Sequence, residues 1–387
     1  MNRRQGITIP VALVLATSCS KDAGEKSDVA SDEGSQESRA DGPSDTGSDS
    51  GGSGTSASES TSRATLGSSD EGGSDVTSGS DSGTQGTTGG AVSHWIELAP
   101  LAAGPRQETA VVAADGKVFV IGGFDATAQV VATVEAYTPE TDSWEPILDT
   151  PVAMHHANAG EARGNIYIVG FLTGNFVADG RVFEYMPDMK TWDEKTAMPP
   201  GNERGASAVA SDGRNLFVLG GFRDGNAVVD TDVYDAELDE WFTLPSLPEP
   251  RDHVVAFHQD SVVYMVGGRD GTVGGHTNAV LALPLMTMSW SSRTDLPTSR
   301  GGMAGAYVDG RFFVSGGEGN PGAATGVFQA HEVYDVASDT WTELTSMPTP
   351  RHGTGAAAIG SVVYVPGGAD QERFAAVDTH EAWVMLD

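Results

Sequence analysis

The chain of 387 residues carries 54 acidic and 22 basic side chains, a net charge of −32, with 50 glycines and one cysteine. An acid excess of this size repels nucleic acid and anionic membrane surfaces, so neither is expected as a partner. The residues are unevenly spread, and a domain count taken from length alone would mislead.

Residues 1–18 read as an export signal: Arg3 and Arg4 supply positive charge, Ile7 to Ala16 is a short apolar core, and small residues follow. The core is too short to span a bilayer. Cys19 comes directly after Ala16, Thr17 and Ser18, which resembles the lipobox of bacterial lipoproteins. That resemblance implies a diacylated thiol at the mature N-terminus, a place in the bacterial cell envelope at the outer membrane or cell surface, and membrane contact only through the lipid. The lipobox favours Leu three places before the cysteine; here Leu15 stands four before it. The same residues also read as a small-x-small cleavage site, which would give a freely secreted protein. Residues 19–93 are rich in Ser, Gly, Asp and Thr, contain almost no large apolar residue and cannot bury enough apolar surface to offset chain entropy, so they are expected to form a disordered tether. As a flexible coil the tether reaches roughly 45–50 Å. It holds 14 acids and 4 bases and the signal two bases, which leaves 40 acids and 16 bases, or −24, for 94–387.

From residue 94 onward a β-like run ending in glycine recurs six times, as in "KVFVIGG" (117–123) and "VVYVPGG" (362–368). The first glycines, Gly122, Gly170, Gly220, Gly267, Gly316 and Gly367, lie 48, 50, 47, 49 and 51 residues apart. Trp95, Trp144, Trp192, Trp241, Trp290 and Trp341 keep nearly the same interval. Each unit divides into an Arg-led strand, a turn such as Asp115-Gly116, the glycine-ended strand, a third strand such as "HEVY" (331–334) and a fourth bearing the tryptophan. A four-stranded antiparallel sheet of this size is stable only against neighbours.

The period, the glycine pairs and the spacing in "VYDVASDTW" (333–341) and "MPTPRH" (347–352) resemble kelch repeats. The resemblance covers 94–387 and implies an all-β, six-bladed propeller around a central channel. Two units depart from the pattern: Phe171 replaces a glycine and Met154 an arginine in the second, and the fourth lacks Tyr-Asp. The last unit supplies only three strands, and Trp383 aligns with the tyrosines of other units. The strand around Trp95 is therefore expected to complete the last blade and close the ring.

Sixteen residues before each first glycine stand Arg106, Met154, Arg204, Arg251, Arg300 and Arg351. Alternating strand direction puts this position on the same face as the loops that carry Arg223, Arg269 and Arg373. One reading is a carboxylate-binding face, with planar guanidinium groups gripping an acidic protein segment or an acidic carbohydrate. It resembles the use of arginines by a kelch adaptor to hold acidic peptides. The other reading has the arginines capping backbone carbonyls or pairing with Glu135, Asp232, Glu332 and Glu381. His155, His156, His253 and His352 follow the arginine position and are expected to join the channel lining. The copper chemistry of galactose oxidase is excluded because 94–387 contains no cysteine. A sugar-acid-processing enzyme resembling sialate mutarotases remains the catalytic alternative, with Glu108, His156 or His253 as acid or base. The favoured expectation is a monomeric, non-catalytic binding module without cofactor or metal.

Overall fold

The computed structural model describes residues 92–272 and 274–386. The expected signal, Cys19 and nearly all of the tether lie outside the described residues. Six four-stranded antiparallel sheets surround a central channel, each sheet one blade. The innermost strands Ala110–Ala114, Ala159–Ala162, Ala208–Ser211, Val255–Gln259, Ala304–Val308 and Ala357–Ile359 touch one another in cyclic order, the last meeting the first. Among the described residues there is no α-helix.

The N-terminal strand His94–Glu97 pairs with His380–Val384 and is the outermost strand of the last blade. Trp95 lies opposite Trp383 in that register, as Tyr137 lies opposite Trp144, Tyr185 opposite Trp192, Tyr234 opposite Trp241 and Tyr334 opposite Trp341. Trp383 thus holds a tyrosine's place, as its spacing predicts. All six repeat tryptophans donate their indole N–H to a backbone carbonyl of the preceding blade's edge, from Trp144 to Ala99 at 2.8 Å round to Trp95 to Thr345 at 2.9 Å. Because an indole nitrogen is a donor only, a carbonyl left exposed at the blade edge is its natural partner.

Tyrosines complete the same joint. The hydroxyls of Tyr137, Tyr234 and Tyr334 donate to Asp142, Asp239 and Asp339, and each carboxylate also accepts a backbone N–H from the neighbouring blade. The acidic turns therefore join blades.

Close backbone approach explains the glycine pairs. A Cβ on Gly316 would stand 2.1 Å from the Arg351 carbonyl oxygen, and Gly317 N–H donates to that same oxygen at 2.8 Å. The contact repeats around the ring and closes it, with Gly368 N–H on Arg106 O. In the second blade, where Phe171 replaces the second glycine, the side-chain amide of Asn158 takes over and donates to Arg204 O at 2.8 Å.

The five arginines are not a carboxylate-gripping ring, which corrects the first reading of Arg106, Arg204, Arg251, Arg300 and Arg351. All five are buried, 5% exposed or less. Arg106 pairs with Glu135, Arg204 with Asp232 at 2.9 Å, Arg300 with Glu332 at 2.6 Å and Arg351 with Glu381 at 2.6 Å. Further N–H groups of Arg106, Arg204 and Arg351 donate to the carbonyls of Thr133, Gly220 and Val365, while the Nε of Arg106, Arg300 and Arg351 is buried without a partner. Arg251 faces a blade with Leu281 at the acid's position and donates only to Ala279 O, at 3.2 Å. Guanidinium buried beside its own carboxylate has no free edge for a ligand.

Candidate functional site at the channel mouth

Two residues past each arginine position the chain reaches the channel axis. Glu108, His156, Ala206, His253, Gly302 and Gly353 occupy this place in the six blades, all left-handed with φ between 50° and 65°. Each donates its backbone N–H to the carbonyl of its counterpart one blade earlier: His156 to Glu108 at 3.0 Å, Ala206 to His156 at 2.8 Å, and so on until Glu108 closes onto Gly353. The result is a closed collar of six backbone hydrogen bonds across the channel. Left-handed backbone costs a residue with a Cβ about 1–2 kcal/mol, a cost that Glu108, His156, Ala206 and His253 bear and the two glycines do not.

The collar divides the channel into two chambers that share Glu108, His156 and His253. The inner one, about 190 Å³, is walled mainly by alanine and valine of the innermost strands. The outer one, about 220 Å³, opens among the loops that follow the second strands, on the face that strand alternation predicts. Its wall includes Phe124, Phe176, Arg269, His276, Glu318, His352, Arg373 and Phe374.

Three side chains converge on the axis. His156 Nε2 is 3.0 Å from His253 Nε2 and 3.1 Å from Glu108 Oε2. His253 Nδ1 bonds Asp252 at 2.7 Å, and Arg269 bridges Asp252 at 2.7 Å and Glu318 at 2.6 Å while its Nη2 comes within 3.1 Å of His253 Nε2. Burial, reinforced by His253, His155 and Arg269, pushes His156 well below the usual imidazole range, so its ring is neutral. Burial likewise lowers His155 and His276. For Asp252, burial opposes the charge, but the His253 hydrogen bond and the charge of Arg269 outweigh it and hold the carboxyl below its ordinary value.

Of the residues the sequence pointed to, His253 and His352 line this mouth, together with Arg269, and His155 does not. His155 is fully buried behind His156, its Nε2 on Thr173 O. Arg269 is held by two carboxylates and is not free for a ligand. Arg223 sits away from the mouth cavity, paired with Asp230 at 3.1 Å. Arg373 is exposed and has no ion pair among the described residues. Carboxylates of Glu108, Glu318 and Glu372 line the cavity beside Arg269 and Arg373, so the mouth is not the basic funnel that the arginine count predicts.

An aromatic rim was not foreseen. Phe374 packs edge-on against Phe124 at 5.0 Å, Phe176 lies 6.1 Å from Phe124 and 4.8 Å from His155, and Phe222 stands 6.4 Å from Phe176. Phe176 is 42% exposed and Phe374 55%. Phe124, Phe222, Arg269 and Glu318 share a repeat position, two after the first glycine, and aligning the units at that position would have found them. Phe176 and Phe374 lie in loops of unequal length, and no repeat position marks them.

Fold and site together define a closed six-bladed propeller whose one decorated face surrounds the channel mouth. Residues 154–368 match the family model described as the KLHDC2/KLHL20/DRC7 Kelch-repeats domain, and residues 105–147 match the Kelch motif. The chain belongs to the kelch-repeat family. It is 31% identical over 280 residues to Kelch-like protein terF of Aspergillus terreus, covering 68% of this chain and 61% of that one. It is 24% identical to beta-scruin of Limulus polyphemus over 73% of this chain and 32% of that one, and 26% identical to mouse Kelch-like protein 35 over 66% and 42%. The chain thus spans less than two thirds of the length of these relatives.

Proposed function

We propose that the propeller is a non-catalytic module that binds a segment of a partner protein on its loop face, with the aromatic rim as anchor. The observation that carries this is the pair of exposed phenylalanines, Phe176 and Phe374, standing over a cavity with a polar floor. Apolar surface gathered at one concave place and ringed by polar groups is the usual make-up of a binding hot spot. The segment that fits carries an apolar or aromatic side chain for the rim. Its acidity is not required: the mouth offers Arg373, whereas its own carboxylates favour a neutral or basic neighbour to the anchor. The sugar-acid enzyme needs a free arginine beside an acid–base pair; Arg269 is held by Asp252 and Glu318, which leaves Arg373 as the one arginine of the cavity wall without an ion pair among the described residues. Export and lipidation at Cys19 would place the module on the cell envelope, and intact-mass measurement of the native protein tests that step by the added acyl mass.

Binding is tested by affinity capture from the native envelope with the full chain and with Phe176→Asp/Phe374→Asp, both substitutions on exposed side chains. Loss of a stoichiometric protein from the variant is the expected result. Retention of the same protein at equal yield would remove the rim as the site.

A further inference from the structure

We propose that Glu108, His156 and His253 bind one divalent transition-metal cation, with Zn²⁺ the best match, on the propeller axis. The hydrogen-bond chain around these residues fixes where their protons are. His155 Nε2 faces the Thr173 carbonyl, which can only accept, at 2.9 Å, so His155 carries its proton on Nε2 and leaves Nδ1 bare. That bare Nδ1 lies 2.5 Å from His156 Nδ1, so His156 donates there and its own Nε2 is bare. His253 donates from Nδ1 to the Asp252 carboxylate, so its Nε2 is bare as well. Two imidazole lone pairs and a carboxylate oxygen therefore converge, 3.0 and 3.1 Å apart, with none of the three supplying a proton to the others.

A further lone pair lies beside the cluster. His352 Nε2 donates to Gln371 O at 2.8 Å, so its Nδ1 is bare. This Nδ1 is buried with no hydrogen-bond partner, on a side chain 2% exposed, 3.9 Å from Glu108 Oε1 and 3.5 Å from Glu318 Oε2. A buried lone pair facing two carboxylates marks a place where positive charge belongs.

The geometry suits a small cation. All three ligand atoms lie within 4.8 Å of one another, and bonds of about 2.0–2.1 Å at tetrahedral angles need separations of about 3.3 Å, a few tenths more than the two short contacts here. Two histidines and a glutamate leave a coordination position open, and the outer chamber adjoins it. Asp252, fully buried behind His253 Nδ1, orients that ring as carboxylates do behind zinc-bound histidines. Arg269 Nη2 supplies the competing N–H on His253; the guanidinium holds Asp252 and Glu318 through Nε and Nη1, so releasing His253 leaves both ion pairs made. Glu108, Asp252 and Glu318 against Arg269 leave the surroundings net negative.

The collar gives an independent reason. Two of its equivalent positions carry glycine, which holds the left-handed backbone without strain, yet three of the six carry Glu or His. A Cβ on Gly353 would stand 2.6 Å from Glu108 Oε1, so this glycine makes room for the carboxylate.

The test uses the full chain with Cys19→Ser, which removes the only thiol, stripped with chelator and titrated with Zn²⁺ by calorimetry and with Co²⁺ by visible absorption. One metal per chain is expected, with the intense bands of a four- or five-coordinate Co²⁺ site, weakened at least 100-fold in His156→Ala/His253→Ala. Ala206 already occupies the equivalent place, so the collar accommodates this variant. Nitrogen NMR of the unaltered imidazoles provides a readout free of mutation: Zn²⁺ is expected to shift the Nε2 resonances of two histidines. Absence of stoichiometric binding, binding undiminished in the double variant, or unmoved Nε2 resonances would each overturn the site.

Discussion

Trp95 and Trp383, near opposite ends of the propeller, face each other across the last blade with ring centroids 5.6 Å apart, and His331 of the preceding blade packs edge-on against both at 4.8 Å. Three elements distant in sequence thus meet in one aromatic cluster, and the N-terminal strand covers the outer edge that His380–Val384 would otherwise expose. Trp95→Ala removes this contact and the indole bond to Thr345 O. The expected loss is about 2–4 kcal/mol, read as a lowered urea midpoint of the full chain. Removing residues 93–100 altogether is expected to cost more. An unchanged midpoint in both would contradict closure by this strand.

The second blade predicts how an arginine and its carboxylate should be exchanged. Met154 stands at the arginine position and Phe183 at the acid's position, both buried in one apolar cluster. Arg300→Met alone leaves Glu332 buried without its partner, at a cost of about 3–5 kcal/mol. Arg300→Met/Glu332→Phe, which copies the second blade, is expected to recover most of that loss. Equal destabilisation of the single and double variants in urea unfolding would show that the ion pair is not the unit that matters.

The repeat made the fold legible because strand, turn and packing signals coincide six times; even the closing strand follows from where Trp95 and Trp383 fall in the period. The arginines were harder to assign. Residue type and spacing offer Arg106 or Arg300 either a ligand at the channel mouth or the third-strand acids Glu135 and Glu332, and only the path of the third strand decides for ion pairs inside the blade. The axial cluster lay between these cases. His253 and Glu108 were visible as residues near the axis, whereas their convergence depends on the left-handed collar, a backbone feature with no composition signal when Glu and His occupy it. Phe176 and Phe374 gave no signal at all, since their loops belong to single blades.

Acid should loosen the ring at the closing blade. Burial, then the charge of Arg300, lowers His331 to about 3, and burial lowers His380, packed on Tyr137 and Trp144, to about 4. Unfolded histidine titrates near 6.5, so between these values the unfolded chain binds the extra protons. The stabilisation is therefore complete above about pH 6.5 and is lost as the pH falls toward 4 and then 3. Thermal unfolding midpoints of the full chain are expected to drop across that window, with a shallower drop in His331→Phe/His380→Phe. An identical slope in the variant would assign the acid sensitivity to the carboxylates instead.

Asn158 is expected to matter more than any other polar residue of the second blade. Its amide donates to Arg204 O at 2.8 Å and Val169 O at 3.1 Å, and its carbonyl accepts Ser207 N–H at 2.8 Å. Where the other blades use a second glycine to reach the next blade, this one has the buried Phe171 and relies on that side chain. Asn158→Leu keeps the volume but leaves these buried backbone groups without partners, at about 1–3 kcal/mol for each that water cannot reach. The predicted signature is local as well as global: the Ser207 amide loses protection from hydrogen exchange, while amides of the first and fifth blades keep theirs. Unchanged exchange at Ser207 would mean that the collar bond of Ala206 to His156 O and the Trp241 bond to Thr196 O hold the second and third blades together without Asn158.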